Sequence, residues 1–174
     1  MRPSTGLTAL AALSAVSLFQ VPQQRNTPDF RPLEFLVGHC WLGTFPDGKA
    51  TDEHCFEWVF DRKFIRDRHV VRNGPAPYAG ETLYGWDPEE KRLGFWYWSS
   101  DGEILTGGVE YRPKSIVFPT KYVTDKGTVE LRATWTRTGQ DRYRAEESQR
   151  AGEKWKPLWT MELKRTPGRA APPR

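Results

Sequence analysis

Hydrophobic and polar residues alternate along most of the chain after residue 40. Every second residue from Val129 to Trp135 is apolar. The same spacing predicts one shared face of a later strand for Trp155, Trp159, Met161 and Leu163. Alternation with a period of two indicates β-strands that have one buried face and one face in water. The pattern therefore favours an all-β protein with almost no helix.

Turn residues divide this pattern into short segments. Turn signals occur at residues 47–48, 87–91, 101–102, 125–127, 138–139 and 151–152. Their spacing predicts about ten strands in sequential, up-and-down order. We expect a single antiparallel β-barrel of about 8–10 strands, because closure buries one face of the sheet and removes its unprotected edges. A two-sheet sandwich is the alternative.

A short helix is expected before the first strand. From Asp29 onward, Phe30, Leu33, Leu36 and Val37 are spaced so that they can bury one side of one or two helical turns. Gly38 would end this helix.

The first hairpin contains both cysteines of the chain. If Asp47 and Gly48 form a two-residue turn, Cys40 faces Cys55. Residues that oppose each other in an antiparallel pair have Cα atoms roughly 4.5 to 5.5 Å apart, which a disulfide tolerates. A Cys40–Cys55 disulfide is therefore favoured, and free thiols or a zinc site that includes the neighbouring histidines are the alternatives.

A later hairpin indicates strong curvature. With a turn at residues 101–102, Trp98 would face Leu105, and Trp96 and Phe95 would lie over two glycines, Gly107 and Gly108. Aromatic rings over glycines cover the backbone and leave room for a sheet to coil.

The ends of the chain differ in composition from its middle. Residues 6–19 are apolar and uncharged after Arg2, which predicts a secretory signal over residues 1–22 with an uncertain cleavage site. An uncleaved membrane anchor is the alternative. A linker over 23–28, the barrel over 29–165 and a disordered basic tail over 166–174 would follow. A signal and a disulfide predict a secreted or periplasmic protein without a stable membrane span in its mature chain.

The net charge of +4 is concentrated at the chain ends. All acidic residues lie between Asp29 and Glu162, and the basic residues within that span are slightly fewer than the acidic ones. Nucleic-acid binding requires concentrated basic charge on the folded surface, so we expect no nucleic-acid partner.

Several motifs resemble bacterial lipocalin-like domain families of unknown function. These motifs are LEFLVGHCWLGTF (33–45), GWDPEEKRL (85–93), SSDG with Gly107-Gly108, and WKPLWTMELKR (155–165), and the resemblance covers residues 30–165. Nitrobindin-like and fatty-acid-binding-protein-like barrels are more distantly similar. The resemblance implies a calycin-type barrel with a helix that plugs one end, Trp41 at the floor and a central cavity. Haem is not expected, because the nitrobindin-like group uses a histidine on a late strand and no histidine follows His69.

Two histidines are candidates for acid–base chemistry or ligand binding. On the first hairpin, Trp41, His54, Phe56, Trp58 and Phe60 would share the inner face, with Asp52 beside His54. The next strand has two faces. One carries Asp67 and His69, the other carries Arg66 and Arg68, and either could contribute to a cavity. A core histidine that is bonded to a neighbouring aspartate is the structural alternative.

We expect an exported barrel that binds a small hydrophobic or amphipathic molecule without a metal or cofactor. The expected ligand-binding residues are Trp41, His54, Phe56, Trp58, Arg66, Arg68, Tyr84 and Trp96. The main alternative is an isomerase-, cyclase- or hydrolase-like enzyme in the same cavity, with His54 or His69 as the base and Asp52 or Asp67 orienting it. A protein-binding module that uses the barrel rim is a third possibility.

Overall fold

The computed structural model describes residues 28–124 and 127–168. These form one short 3-10 helix and eleven β-segments. The helix spans Arg31–Leu36, and the strands are β1 Cys40–Thr44, β2 Thr51–Val59, β3 Phe64–Arg72, β4 Tyr78–Asp87, β5 Arg92–Ser99, β6 Ile104–Gly108, β7 Glu110–Arg112, β8 Ser115–Thr124, β9 Gly127–Gly139, β10 Arg142–Ala151 and β11 Lys154–Arg165. The expected signal segment and most of the linker and tail lie outside the described residues.

The strands form a closed antiparallel up-and-down barrel. Apart from β6 and β7, which do not pair with each other, each strand pairs with its neighbours in sequence, and the first strand, β1, pairs with the last, β11. The ring is completed where β6 pairs with β8. β6 and β7 lie end to end along β8 in one continuous register, so the eleven segments build a barrel of ten strands. These pairings confirm the barrel and exclude the two-sheet sandwich.

The first hairpin has the predicted register but a different turn. Cys40 lies opposite Cys55 with 4.1 Å between their Cα atoms, and the two sulfurs form a disulfide, as predicted. Gly48 adopts a positive φ of 71°, whereas Asp47 does not. The Asp47 carboxylate instead accepts hydrogen bonds from the amides of Lys49 and Ala50. A four-residue loop between Phe45 and Ala50 therefore gives the register that a two-residue turn would give.

The predicted register of the β5–β6 hairpin is wrong by one residue. Phe95 lies opposite Gly107, and Trp98 lies opposite Ile104 instead of Leu105. The cause is a three-residue loop in which Gly102 has a φ of 90°. A loop of this kind ends in a left-handed residue and shifts the pairing relative to a two-residue turn.

The β2–β3 turn carried no recognised sequence signal. Phe60, Asp61 and Arg62 all have positive φ, between 52° and 61°. The turn directs the side chain of Phe60 outward, and Phe60 is 61 % exposed. The expectation that Phe60 shares the inner face is therefore wrong, because alternation ends with the strand at Val59.

A β-bulge in β11 separates Trp155 from the other aromatic residues of that strand. Glu147 pairs with Trp159, and the next residue of β10, Ser148, pairs with Pro157, so that Leu158 is an extra residue. Beyond the bulge the alternation is inverted, and the Trp155 ring lies under the guanidinium of Arg132 at 4.3 Å. The prediction that Trp155 faces inward is therefore wrong.

The 3-10 helix plugs one end of the barrel. Its residues Leu33 and Leu36 are fully buried, as the spacing predicted, and Gly38 ends the segment with a φ of 82°. The indole of Trp41 donates a hydrogen bond to the Leu36 carbonyl at 3.1 Å and is itself fully buried. The described residues include no helix that is long and apolar enough to cross a lipid bilayer.

Candidate functional site

The barrel encloses a cavity of about 870 Å³. Its mouth lies at the end opposite the helix and is bordered by the β1–β2 turn, the β3–β4 loop at Gly74–Pro77, and Asp101 and Glu103 of the β5–β6 turn. The inner side chains of the strands form its wall. Ligand-binding cavities in proteins are commonly about 300–1,000 Å³ and largely apolar.

A cluster of histidines and aspartates lies on the wall formed by β2 and β3. His54 and His69 are direct partners across these strands, and their rings stack with centroids 4.7 Å apart. The two ring nitrogens of His54 lie 2.8 Å from Asp67 Oδ2 and 3.1 Å from Asp52 Oδ2. His69 Nδ1 lies 3.0 Å from Asp52 Oδ1. Alternation along both strands brings all four side chains to the same inner face.

The two carboxylates hold His54 as a cation. Burial opposes the charged imidazolium, but the charges of Asp67 and Asp52 and the hydrogen bonds to them outweigh it and raise the pKa of His54 to about 10. Burial likewise opposes ionisation of Asp52, yet the charge of His54 and the hydrogen bonds from both histidines lower the pKa of Asp52 well below its usual range. At neutral pH both His54 nitrogens therefore donate to carboxylates.

A chain of hydrogen bonds leads from this cluster toward the mouth. Because His69 Nδ1 donates to the Asp52 carboxylate, its Nε2 can accept the hydroxyl of Tyr97, which lies at 3.2 Å. The Tyr97 hydroxyl is also hydrogen-bonded to the hydroxyl of Tyr78. Gly80 of β4 makes this approach possible, because a Cβ atom there would lie 2.5 Å from both His69 Nε2 and the Tyr97 hydroxyl.

Aromatic rings form much of the remaining wall. Trp135 of β9 is central to them, with Phe118 at 4.5 Å and Tyr143 at 5.4 Å between ring centroids. Tyr84 contacts both Phe95 and Phe118. Burial raises the pKa of the Tyr84 and Tyr143 hydroxyls well above the usual value, and both remain protonated.

Two buried polar atoms at the cavity wall have no hydrogen-bond partner among the described residues. They are Oδ1 of Asp67 and the hydroxyl of Tyr143, and the two side chains are at most 2 % exposed. Burial of the Tyr143 hydroxyl, together with the charge of Asp67, raises the pKa of Tyr143. Buried polar atoms usually have a partner, so an unpaired one at a cavity wall is a natural contact for a ligand.

Asp52, His54 and His69 also have the composition of a metal-ligand set. Each offers one ligand atom, and the three atoms lie within 4.8 Å of one another. Two imidazoles and one carboxylate suit divalent transition metals. The second possible set includes Cys40 and Cys55, whose sulfurs are consumed in the disulfide. The sequence-based expectation of no metal stays a prediction.

The structure brings some of the expected ligand-binding residues to the cavity and places others elsewhere. His54 and Tyr84 line the cavity, together with the other catalytic candidates, Asp52, Asp67 and His69. Six other residues do not belong to the lining found among the described residues: Trp41, Phe56, Trp58, Arg66, Arg68 and Trp96. Trp41 and Phe56 are buried in the packed core below the cavity, and Trp58 packs against Phe30 of the plugged end.

Arg66 and Arg68 lie on the outer wall, which corrects the expectation that they could contribute to the cavity. Both donate to Oε1 of Glu57, at 2.6 and 3.1 Å. Of the two faces of β3, the one with Asp67 and His69 points inward, because the adjacent Ile65 on that face is buried in the core.

Sequence reasoning missed Tyr97, which occupies the inner position expected for Trp96. Across the β4–β5 hairpin, Tyr84 pairs with Phe95 and Thr82 pairs with Tyr97. The segment DPEEK fixes this pairing, with Asp87 accepting hydrogen bonds from two following amides. Since directly opposed residues share a face, an inward Tyr84 implies an inward Tyr97 and an outward Trp96.

A scan against models of protein families gave no match to this chain, and a search of curated proteins gave none either. The barrel is consistent with the lipocalin-like resemblance, but membership of that family stays a prediction.

Proposed function

We propose that this protein binds a small, partly apolar molecule in the central cavity of its barrel. The observation that carries the proposal is the hollow interior of about 870 Å³, which reaches solvent at one end and combines aromatic walls with a few polar groups. A fold maintained only for its own stability would fill this space, because unfilled volume in a core costs free energy.

A space-filling substitution tests this proposal. Ala133 faces the cavity on β9, whereas the next residue, Thr134, has the opposite orientation. We expect the neutral fluorescent probe N-phenyl-1-naphthylamine to bind the natural protein with one saturable site. Ala133→Trp should weaken this binding at least tenfold, and the matched control Thr134→Trp should leave it unchanged. Absence of probe binding, or equal binding by both variants, would contradict a cavity site.

Catalysis in the same cavity is the second candidate, and the Asp52–His69–Tyr97 chain favours it. A histidine that is oriented by a carboxylate and bonded to a hydroxyl is an arrangement that general acid–base catalysis uses. His69 is the better base of the two histidines, because His54 is already protonated at neutral pH. We expect chromatography to detect conversion of a bound molecule by the natural protein but not by His69→Gln. If bound molecules are always recovered unchanged, binding alone is the function.

Export to an oxidising compartment is part of the proposal. The Cys40–Cys55 disulfide supports it, because such bonds persist mainly outside the cytosol. Mass spectrometry of the protein isolated from its natural source should find a linked cysteine pair and a new N-terminus near residue 22. An intact N-terminus on an intracellular, reduced protein would contradict export.

A further inference from the structure

We infer that the cavity selects organic cations, specifically partly apolar molecules that carry a protonated amine. This inference rests on the proposed ligand-binding function and adds the chemical class of the ligand to it. Three independent features of the described residues carry it: the sign of the charged groups on the cavity wall, an unpaired buried carboxylate oxygen, and the aromatic faces around that oxygen.

The described residues that line the cavity include six acidic side chains and neither lysine nor arginine. The acidic lining residues are Asp47, Asp52, Asp67, Asp101, Glu103 and Glu147. His54 supplies one positive charge, which two carboxylates already share. Clefts lined by charges of one sign concentrate molecules of the opposite sign.

Negative charge extends from the mouth to the interior. Asp101 and Glu103 are exposed at the mouth, and their charges help raise the pKa of Tyr78. Glu147 is partly buried opposite Trp159, and its pKa is raised because burial disfavours its charged form. A cation bound beside Glu147 would relieve that burial penalty.

Asp67 Oδ1 provides the specific contact. Its partner oxygen, Oδ2, is bonded to His54, while Oδ1 is buried and unpaired. An ammonium group carries several N–H donors and no acceptor, so it suits the unpaired Oδ1. A carboxylate or phosphate ligand would meet this oxygen with repulsion.

The rings near Asp67 favour the same ligand. Trp135 packs against the ring of His54, which is bonded to Asp67, and against Tyr84 and Tyr143. Cations are attracted to aromatic faces, most strongly to tryptophan, and more so where water is excluded. The arginines that could have attracted an anion, Arg66 and Arg68, lie outside the barrel on Glu57.

Three ligands of equal size but different charge test the inference. They are 1-naphthylmethylamine, 1-naphthylmethanol and 1-naphthoate, which are a cation, a neutral molecule and an anion at pH 7. In calorimetric titrations of the mature protein, the amine should bind at least tenfold more tightly than the alcohol. The naphthoate should bind most weakly. A higher salt concentration should weaken the binding of the amine alone, because salt screens the attraction between opposite charges.

Asp67→Asn should abolish the preference for the amine and leave the affinity for the alcohol within about twofold. The matched control is Asp61→Asn, which removes an exposed carboxylate at the plugged end and should change neither affinity. If Asp67→Asn does not fold, Glu147→Gln takes its place. This variant should lower the affinity for the amine at least threefold and leave the affinity for the alcohol unchanged.

The outcomes separate the inference from the function on which it rests. Binding of the alcohol or naphthoate as tight as that of the amine overturns the cation preference but leaves cavity binding intact. A folded Asp67→Asn variant that keeps the tenfold preference overturns the role of Asp67. Absence of binding for all three ligands, together with failure of the neutral probe, overturns the proposed function itself.

Discussion

His54 is held between two carboxylates, and its charge should make the stability of the barrel depend on pH. Its pKa rises from 6.5 to about 10 on folding. A raised pKa means that the folded state binds the proton more tightly, so the stabilisation is complete below pH 6.5 and is lost as the pH rises toward 10. Asp52 does not titrate in this interval, because its pKa is shifted downward.

We predict that the difference in unfolding free energy between the natural protein and His54→Gln shrinks as the pH rises from 6 to 10. The shift corresponds to a loss on the order of 4 kcal/mol across this range. Urea unfolding at several pH values measures it. His39→Gln is the matched control, since His39 lies near Arg165 and away from the carboxylate pair. A constant difference for His54→Gln would show that its charge is not coupled to folding.

Alternation alone predicted much of the candidate site at the residue level. It placed Asp52 beside His54 and put Asp67 and His69 on one face, which the structure confirms. It could not decide which face of β3 points inward, because both faces mix charged and apolar residues. It also could not reveal unpaired atoms such as Asp67 Oδ1, which depend on the positions of strands distant in sequence.

At the element scale, the disulfide fastens β1 to β2 near the plugged end. It closes a loop of 15 residues, and a crosslink of that size contributes roughly 3 kcal/mol by restricting the unfolded chain. We predict that Cys40→Ser/Cys55→Ser loses about this much unfolding free energy in urea. The same loss should appear when the natural protein is reduced, and the double variant should be insensitive to reductant. Equal stability of all these forms would contradict the prediction.

Closure of the barrel at β6 depends on the glycine at position 107. A Cβ atom there would overlap the Pro119 carbonyl oxygen of β8 and the Phe95 ring of β5. We predict that Gly107→Ala destabilises the protein by about 2–4 kcal/mol. Gly139→Ala is the control, because the nearest atom to its Cβ would be 3.8 Å away, and its effect should stay within about 0.5 kcal/mol. Thermal unfolding of both variants measures the difference, and equal melting temperatures would contradict it.

Loop lengths and bulges were the features of the strands that the sequence did not predict reliably. The Asp47-Gly48 signal gave the correct register because a four-residue loop and a two-residue turn share it. The similar signal at residues 101–102 failed because its loop has three residues. The extra residue at Leu158 has no glycine to mark it, and this bulge inverted the orientation of Trp155.

For the molecule as a whole, the sequence predicted that the sheet closes into a barrel and that its strands follow one another in order. It did not predict that the interior of the barrel is hollow. Inward-facing aromatic residues fill a narrow barrel and line a wide one, and the sequence pattern is the same in both cases. The width follows from the strand number and stagger, which are set by the pairings of β1 with β11 and of β6 with β8.

The segment β6 has a very short pairing with β8. One residue pair, Gly107 with Thr120, joins these strands, whereas β10 and β11 share ten pairs. We predict that backbone amides of β6 exchange with deuterium at least tenfold faster than those of β10, because short seams open locally at low free-energy cost. Mass-spectrometric hydrogen exchange measures this. Equal protection of β6 and β10 would show that the barrel opens only as one unit.

The plug formed by the 3-10 helix determines the direction in which a molecule can move through the barrel. With one end blocked by Leu33, Leu36 and Trp41, a guest that arrives at the mouth must leave by the same route, and the part that enters first lies deepest. A molecule longer than the cavity would therefore project its trailing portion into solvent.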